Sequence, residues 1–121
     1  MSRPQIDAAA FGSITIAGRK IENDVILRLD GSTEKRKKKL SKSVFGTSHT
    51  ISSEEARFIH EKGAKLLVIG TGQYGCVVLS DEASRYLKKH GCRVTLEPTP
   101  RAIQTWNAAG EKTIGLFHVT C

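Results

Sequence analysis

Four side chains in this sequence have the chemistry to take a metal or to start a nucleophilic attack. His118 and Cys121 form H-x-x-C, and His49 and Cys76 are the further donors that would complete a set of four. A structural zinc site needs about four such ligands. The spacing does not bring His49 and Cys76 to the pair, and no C-x-x-C is present to anchor one. His49, in Gly46-Thr47-Ser48-His49, could instead be a general base, with Ser48, Thr47 or Cys76 as nucleophile. A histidine in such a loop more often satisfies backbone groups at a helix entrance. Cys92 opens an apolar strand and reads as core. No paired carboxylates stand at catalytic spacing on one helix face. From these residues alone no catalytic residue, metal or cofactor is assigned.

Gly70-Thr71-Gly72-Gln73-Tyr74-Gly75 is a literal G-x-G-x-x-G directly after a strand, and Glu97 follows the next strand. That invites a dinucleotide reading. In the fingerprint the last glycine lies inside the start of the helix, so that free N–H groups meet the pyrophosphate. Here Cys76-Val77-Val78-Leu79 intervenes and the helix cap is Ser80. Glu97 also stands too far beyond Gly70, since the ribose acid is expected about 20 residues on. A weaker expectation survives. Loops after parallel strands meet at one sheet edge, where ligands of open α/β sheets bind. Gly70, Thr71, Gly72, Gln73, Thr99 and Arg101 would then line one small anion-binding pocket, with His118 near it. Arg101 sits in a helix's first turn, where the dipole disfavours a cation.

The stretch Glu34-Lys35-Arg36-Lys37-Lys38-Lys39-Leu40-Ser41-Lys42 is the third feature. Lys35, Arg36, Lys37, Lys38, Lys39 and Lys42 could contact a polyanion, because neutralising phosphates releases counterions. The competing reading is an edge strand that lysines keep from pairing. Strand geometry would put Lys35, Lys37 and Lys39 on one side and Arg36 and Lys38 on the other. A nucleic-acid surface would add stacking aromatics, and only Phe45 is close in sequence. The edge strand is the favoured reading.

The elements that must position these residues follow from periodicity. Ser13–Ala17 alternates as a strand and stops at Gly18. Val25–Leu29, Asp30-Gly31 and Thr33–Lys39 read as a hairpin with a type I′ turn. From Ser52 the period becomes helical. Ser52-Ser53-Glu54-Glu55 is a capping box whose helix runs to Gly63. Leu66–Ile69 is a buried strand, and a helix from Ser80 to Gly91 follows. Cys92–Leu96 is a strand, Thr99-Pro100 opens a third helix ending at Gly110, and Thr113–Val119 is the last strand. Strands joined by crossover helices are normally parallel neighbours.

The 121 residues amount to one domain, 1–121, with 39% hydrophobic and 26% charged residues, which excludes a disordered or collagen-like chain. Nineteen Lys and Arg against twelve Asp and Glu give +7 and favour acidic partners. Three cysteines do not close a disulfide framework. Leu66-Leu67-Val68-Ile69, the longest apolar run, cannot span a membrane. The opening residues lack the apolar core of a secretory signal, so a cytoplasmic location is expected.

Four segments in this order resemble a known family. They are Phe45-Gly46-Thr47-Ser48-His49, Leu67-Val68-Ile69-Gly70-Thr71-Gly72, Glu97-Pro98-Thr99-Pro100-Arg101-Ala102 and Phe117-His118-Val119-Thr120-Cys121. From Phe11-Gly12 to Cys121 the chain resembles the Mth-nine-three-eight-type domain, a domain of unknown function. Its relatives include an adipogenesis-associated protein and mitochondrial complex I assembly factor three. The resemblance implies a three-layer α/β fold with a mixed central sheet, an N-terminal hairpin and then alternating helices and strands. It implies no established activity, cofactor or catalytic residue. The assembly-factor relative points to action through protein partners. The leading expectation is thus a binding, assembly or regulatory protein rather than an enzyme. The alternatives are an enzyme or anion-binding module at the glycine loop, and a nucleic-acid binder through residues 35–42.

Overall fold

The computed structural model describes residues 3–121. Three short strands, β1 (Ile6–Ala10), β2 (Ser13–Ile16) and β3 (Arg19–Ile21), form an antiparallel sheet in that order. Then come β4 (Val25–Leu27), β5 (Thr33–Lys35), α1 (Lys39–Phe45), β6 (Thr50–Ile51), α2 (Ser53–Ile59) and β7 (Leu66–Gly70). The chain continues through β8 (Val78–Leu79), α3 (Asp81–Lys89), β9 (Arg93–Glu97), α4 (Thr99–Ala108) and β10 (Thr113–Phe117). The central sheet has the order β5-β4-β10-β7-β9. Its β10-β7-β9 part is parallel, while β4 pairs antiparallel with both β10 and β5. The mixed sheet and N-terminal antiparallel strands match the fold class expected from the sequence.

The pleat divides the core into two apolar clusters. Ile26, Leu67, Ile69, Ile114 and Leu116 cluster with Ala56 and Ile59 of α2 and Ala83 and Leu87 of α3. Val25, Leu27, Val68 and Phe117 cluster with Ala102, Ile103 and Trp106 of α4 and with Ile6, Ile14 and Ile16 of the small sheet. Alternation along each strand produces this division, since successive side chains leave opposite faces. Gly115 lets Trp106 lie on the sheet: a Cβ there would sit 3.3 Å from the indole and 2.8 Å from the Phe117 ring.

Several local expectations are corrected. The β4–β5 link is a five-residue loop over 28–32, closed by Arg28 N–H donating to Ser32 O at 2.9 Å. It is not a two-residue turn, although Gly31 does take positive φ. β5 is an edge strand, as expected, but ends at Lys35, and α1 begins at Lys39. The α2 helix stops at Ile59 rather than Gly63, because Arg28 Nη1 takes the carbonyls of Phe58 and Ile59 at 3.2 and 2.8 Å. Half of the capping box forms. Ser52 Oγ accepts the Glu55 N–H at 3.1 Å, but the Glu55 carboxylate turns inward, and Ser41 Oγ accepts the Ser52 N–H instead. Thr99 does not cap α4; Pro98 holds the cap position and the Thr99 hydroxyl points into the core.

Candidate functional site

At the end of the sheet where β7, β9 and β10 finish, three loops meet. The Thr71 N–H donates to Glu97 O at 2.8 Å and the Thr99 N–H to Gly72 O at 3.0 Å. The buried Thr99 hydroxyl donates to His118 O at 2.7 Å and accepts from the Gly72 N–H at 2.9 Å. Gly70, Thr71, Gly72, Gln73, Thr99 and His118 are therefore brought together. No room for a guest is left between them, because residues 118–121 fill it. The N–H groups of Gln73, Tyr74 and Cys76 all bond to carbonyls of Thr120 or Cys121. Gly72 has φ +104, and a Cβ there would lie 2.6 Å from Cys121 O and 2.7 Å from His118 Cδ2. The glycines serve this close backbone approach. Arg101 stands apart, 77% exposed and paired with Glu97 at 3.4 Å.

Behind residues 118–121 lies a buried charge network that sequence reading missed. Asp24, between β3 and β4, accepts from the Val119 N–H at 2.9 Å and bonds His118 Nδ1 at 2.7 Å. Arg36, just past β5, donates to Asp24 at 2.9 Å, to Glu55 at 2.6 and 3.1 Å, and to Ser48 O at 2.6 Å. The Ser41 hydroxyl completes the set on Glu55. Burial disfavours the charged Asp24. The hydrogen bonds from His118, Val119 and Arg36, with the attraction of His118, outweigh that and hold its carboxyl at about 2. Burial likewise works against the Arg36 cation, yet Glu55 and Asp24 raise its pKa above the ordinary value. Arg36 is therefore a structural cation and not a polyanion contact. Asp24 gave no signal beyond a turn residue before a strand, and nothing in the sequence separates Arg36 from the lysines around it.

The lysines of the same stretch border an open cleft of about 900 Å³. Lys35, Lys37, Lys38 and Lys39 line it with Leu40, Gly12, Glu22, Val119 and Thr120, and Asp24 and Arg36 lie at its base. Lys38 Nζ is 3.7 Å from Asp24, and Lys37 Nζ sits 4.5 Å over the Phe58 ring. Lys42 is exposed on α1 outside this lining. The strand alternation expected past Lys35 does not hold, since the chain turns into α1.

Next to the cleft, His49 and His118 face each other edge to face at 5.5 Å, and His49 Nε2 lies 3.5 Å from Cys121 Sγ. Thr47 Oγ1 accepts the His49 N–H, and the Ser48 carbonyl is held by Arg36. The group that the His49 ring meets is thus the Cys121 thiol, not the Ser48 or Thr47 hydroxyl or the Cys76 thiol.

A family profile described as "Protein of unknown function (DUF498/DUF598)" matches residues 6–116. The chain belongs to this family. A conserved hypothetical protein from Pyrococcus horikoshii, PH1505, is 28% identical and superposes with a TM-score of 0.87 over 97% of this chain and 99% of that one. The structure named MT938 is 30% identical, with a TM-score of 0.81 over 98% of this chain and 99% of that one. A Bordetella pertussis protein described as a Mth938-like domain shares the fold at 17% identity, with a TM-score of 0.65 over 96% and 85% of the two chains. The Mth-nine-three-eight-type resemblance is thereby shown. These solved relatives are named as hypothetical or by family alone. Among the described residues no helix is long and apolar enough to cross a membrane.

Proposed function

We propose that this domain acts by binding, and that its cleft beside the lysine run receives an acidic segment of a protein partner. The observation that carries this reading is the placement of Lys35, Lys37, Lys38 and Lys39 around one open cleft whose wall also includes Leu40 and Val119. A cleft of this make-up suits a peptide with both carboxylates and apolar side chains. A peptide can set its carboxylates against the lysines and its apolar side chains against Leu40 and Val119, which a continuous phosphate backbone cannot do. The partner-based role that the family resemblance implies agrees with this. The glycine loop's part is to fix residues 118–121, which form one wall, rather than to bind an anion itself.

A second reading has one specific observation behind it. Phe11 and Tyr74 are exposed, and their rings pair at 6.4 Å close to Gly12 on the cleft's rim. Exposed aromatics beside lysines suit single-stranded nucleic acid. Fluorescence anisotropy separates the two. A labelled peptide alternating Glu with Leu should bind, and Lys35→Glu with Lys39→Glu should abolish that binding. A single-stranded oligonucleotide should bind weakly and lose affinity steeply with salt. Oligonucleotide binding that is tighter than the peptide's at physiological salt and is lost in Phe11→Ala would overturn the peptide reading.

A further inference from the structure

The three side chains His49, His118 and Cys121 come from a loop before β6 and from the segment after β10. Their donor atoms all lie within 4.8 Å of one another. His118 Nδ1 is 2.7 Å from Asp24 Oδ2. A carboxylate only accepts, so Nδ1 carries a proton, and in the neutral imidazole, the form a metal binds, Nε2 has the lone pair. The arrangement is the one by which metal-bound histidines are usually oriented, with a carboxylate behind the ring fixing its tautomer and raising its basicity. The backbone of Cys121 is held in place too. The Tyr74 and Cys76 N–H groups both hold its carbonyl, at 3.2 and 3.1 Å. Gly72, which cannot carry a side chain there, keeps that backbone against the His118 ring. The charge network on Asp24 and Arg36 is complete without His118 Nε2.

We infer that His49 Nε2, His118 Nε2 and Cys121 Sγ form a binding site for a zinc-class transition-metal ion, with a fourth coordination position left for water or an incoming ligand. Two imidazoles and a thiolate select such ions over magnesium or calcium. Tetrahedral coordination at the usual Zn–N and Zn–S lengths needs ligand atoms about 3.5 Å apart. His49 and Cys121 already meet that separation, at 3.5 Å. Small rotations of these two half-buried side chains bring them to the buried His118. Thr120 Oγ1, 3.2 Å from His118 Nε2, is the group the ion displaces. This site is separate from the lysine cleft and stands whether or not the cleft binds a peptide.

Cobalt(II) as the probe, added to the full chain under a phosphine reductant, tests this. One equivalent should give the visible bands of tetrahedral cobalt and a near-ultraviolet sulfur-to-cobalt band, both abolished by excess Zn²⁺. Cys121→Ser should remove the sulfur band. His49→Gln should weaken binding by more than about tenfold, the least that loss of even an outer partner costs. Cys76→Ser should keep the bands, because the Cys76 thiol, although it hydrogen-bonds Cys121, is not among the three donors that lie together. Zn²⁺ alone should also raise the wild-type melting temperature, and the two ligand variants should respond less. Absence of a one-equivalent spectrum together with an unmoved melting temperature overturns the proposal. So does a sulfur band that survives Cys121→Ser or vanishes in Cys76→Ser. If Cys121→Ser does not fold, His49→Gln decides, since its ring is half-buried and its removal leaves the charge network intact.

Discussion

The glycine loop at 70–75 and the basic stretch at 35–42 both look like anion sites in sequence, and the fold treats them in opposite ways. The glycine loop lies at the sheet edge where ligands of α/β proteins bind, yet the chain's own residues 118–121 occupy that place. The basic stretch looks like a solvated edge, yet it borders the open cleft, with one of its six cations buried beneath the others. The difference lies in what each backbone has to satisfy. Free N–H groups beside glycines are met by the nearest carbonyls, and residues 120 and 121 supply them. Long lysines cannot be buried without partners, so they stay at the rim.

The sharpest way to break this contrast is inside the basic stretch itself. Arg36→Ala should destabilise by about 3–5 kcal/mol, because it strands Asp24 and Glu55 as buried charges. Lys39→Ala, three residues on, should stay within about 0.5 kcal/mol. Urea titrations of the two variants check this, and equal midpoints would place Arg36 among the surface cations.

A smaller effect tests the loop. Gly72→Ala combines positive φ, worth about 1–2 kcal/mol, with a collision against Cys121 O and His118 that adds about 1–3 kcal/mol. Gly12→Ala, also at positive φ but with open space, should cost the conformational part alone. Thermal melts of both would show whether residues 118–121 are packed or loosely laid down.

The smallest effect is on pH. Asp24 has its carboxyl lowered to about 2 in the folded protein, against about 4 for an unperturbed Asp. A folded-state pKa below the unfolded one gives stability that is present above about pH 4 and is lost as pH falls toward 2. Its size is about 2 kcal/mol. Urea stability measured from pH 5 to pH 2 should show that loss, and Asp24→Asn should flatten the slope.

The helices and the strands β7, β9 and β10 after Ser52 were legible because each carries a local signal. Ser80 caps α3, and its hydroxyl does accept the Ala83 N–H. Gly91 takes positive φ just past the end of α3. The short strands β1 and β3 were missed, since five or fewer residues with alanine or charge at most positions show no clear period. Helix α1 was missed because Lys38-Lys39-Leu40-Ser41 reads equally well as a strand.

Periodicity, caps and segment order are local properties of the chain. They were enough to establish the α/β class, the family, the strands β7, β9 and β10 and the set of residues able to do chemistry, but not that β10 pairs with β7 rather than with β9, the strand that precedes it. How those residues are grouped came from the tertiary structure. Arg36 and Lys37 are adjacent in sequence, yet one is buried by Asp24 and Glu55 while the other lines the cleft. His49 and Cys121 are far apart in sequence, yet they touch because β10 ends at the edge where the β6 loop also arrives. Burial and side-chain partnership depend on contacts between distant segments, and neither residue type nor spacing encodes them until the sheet order is fixed.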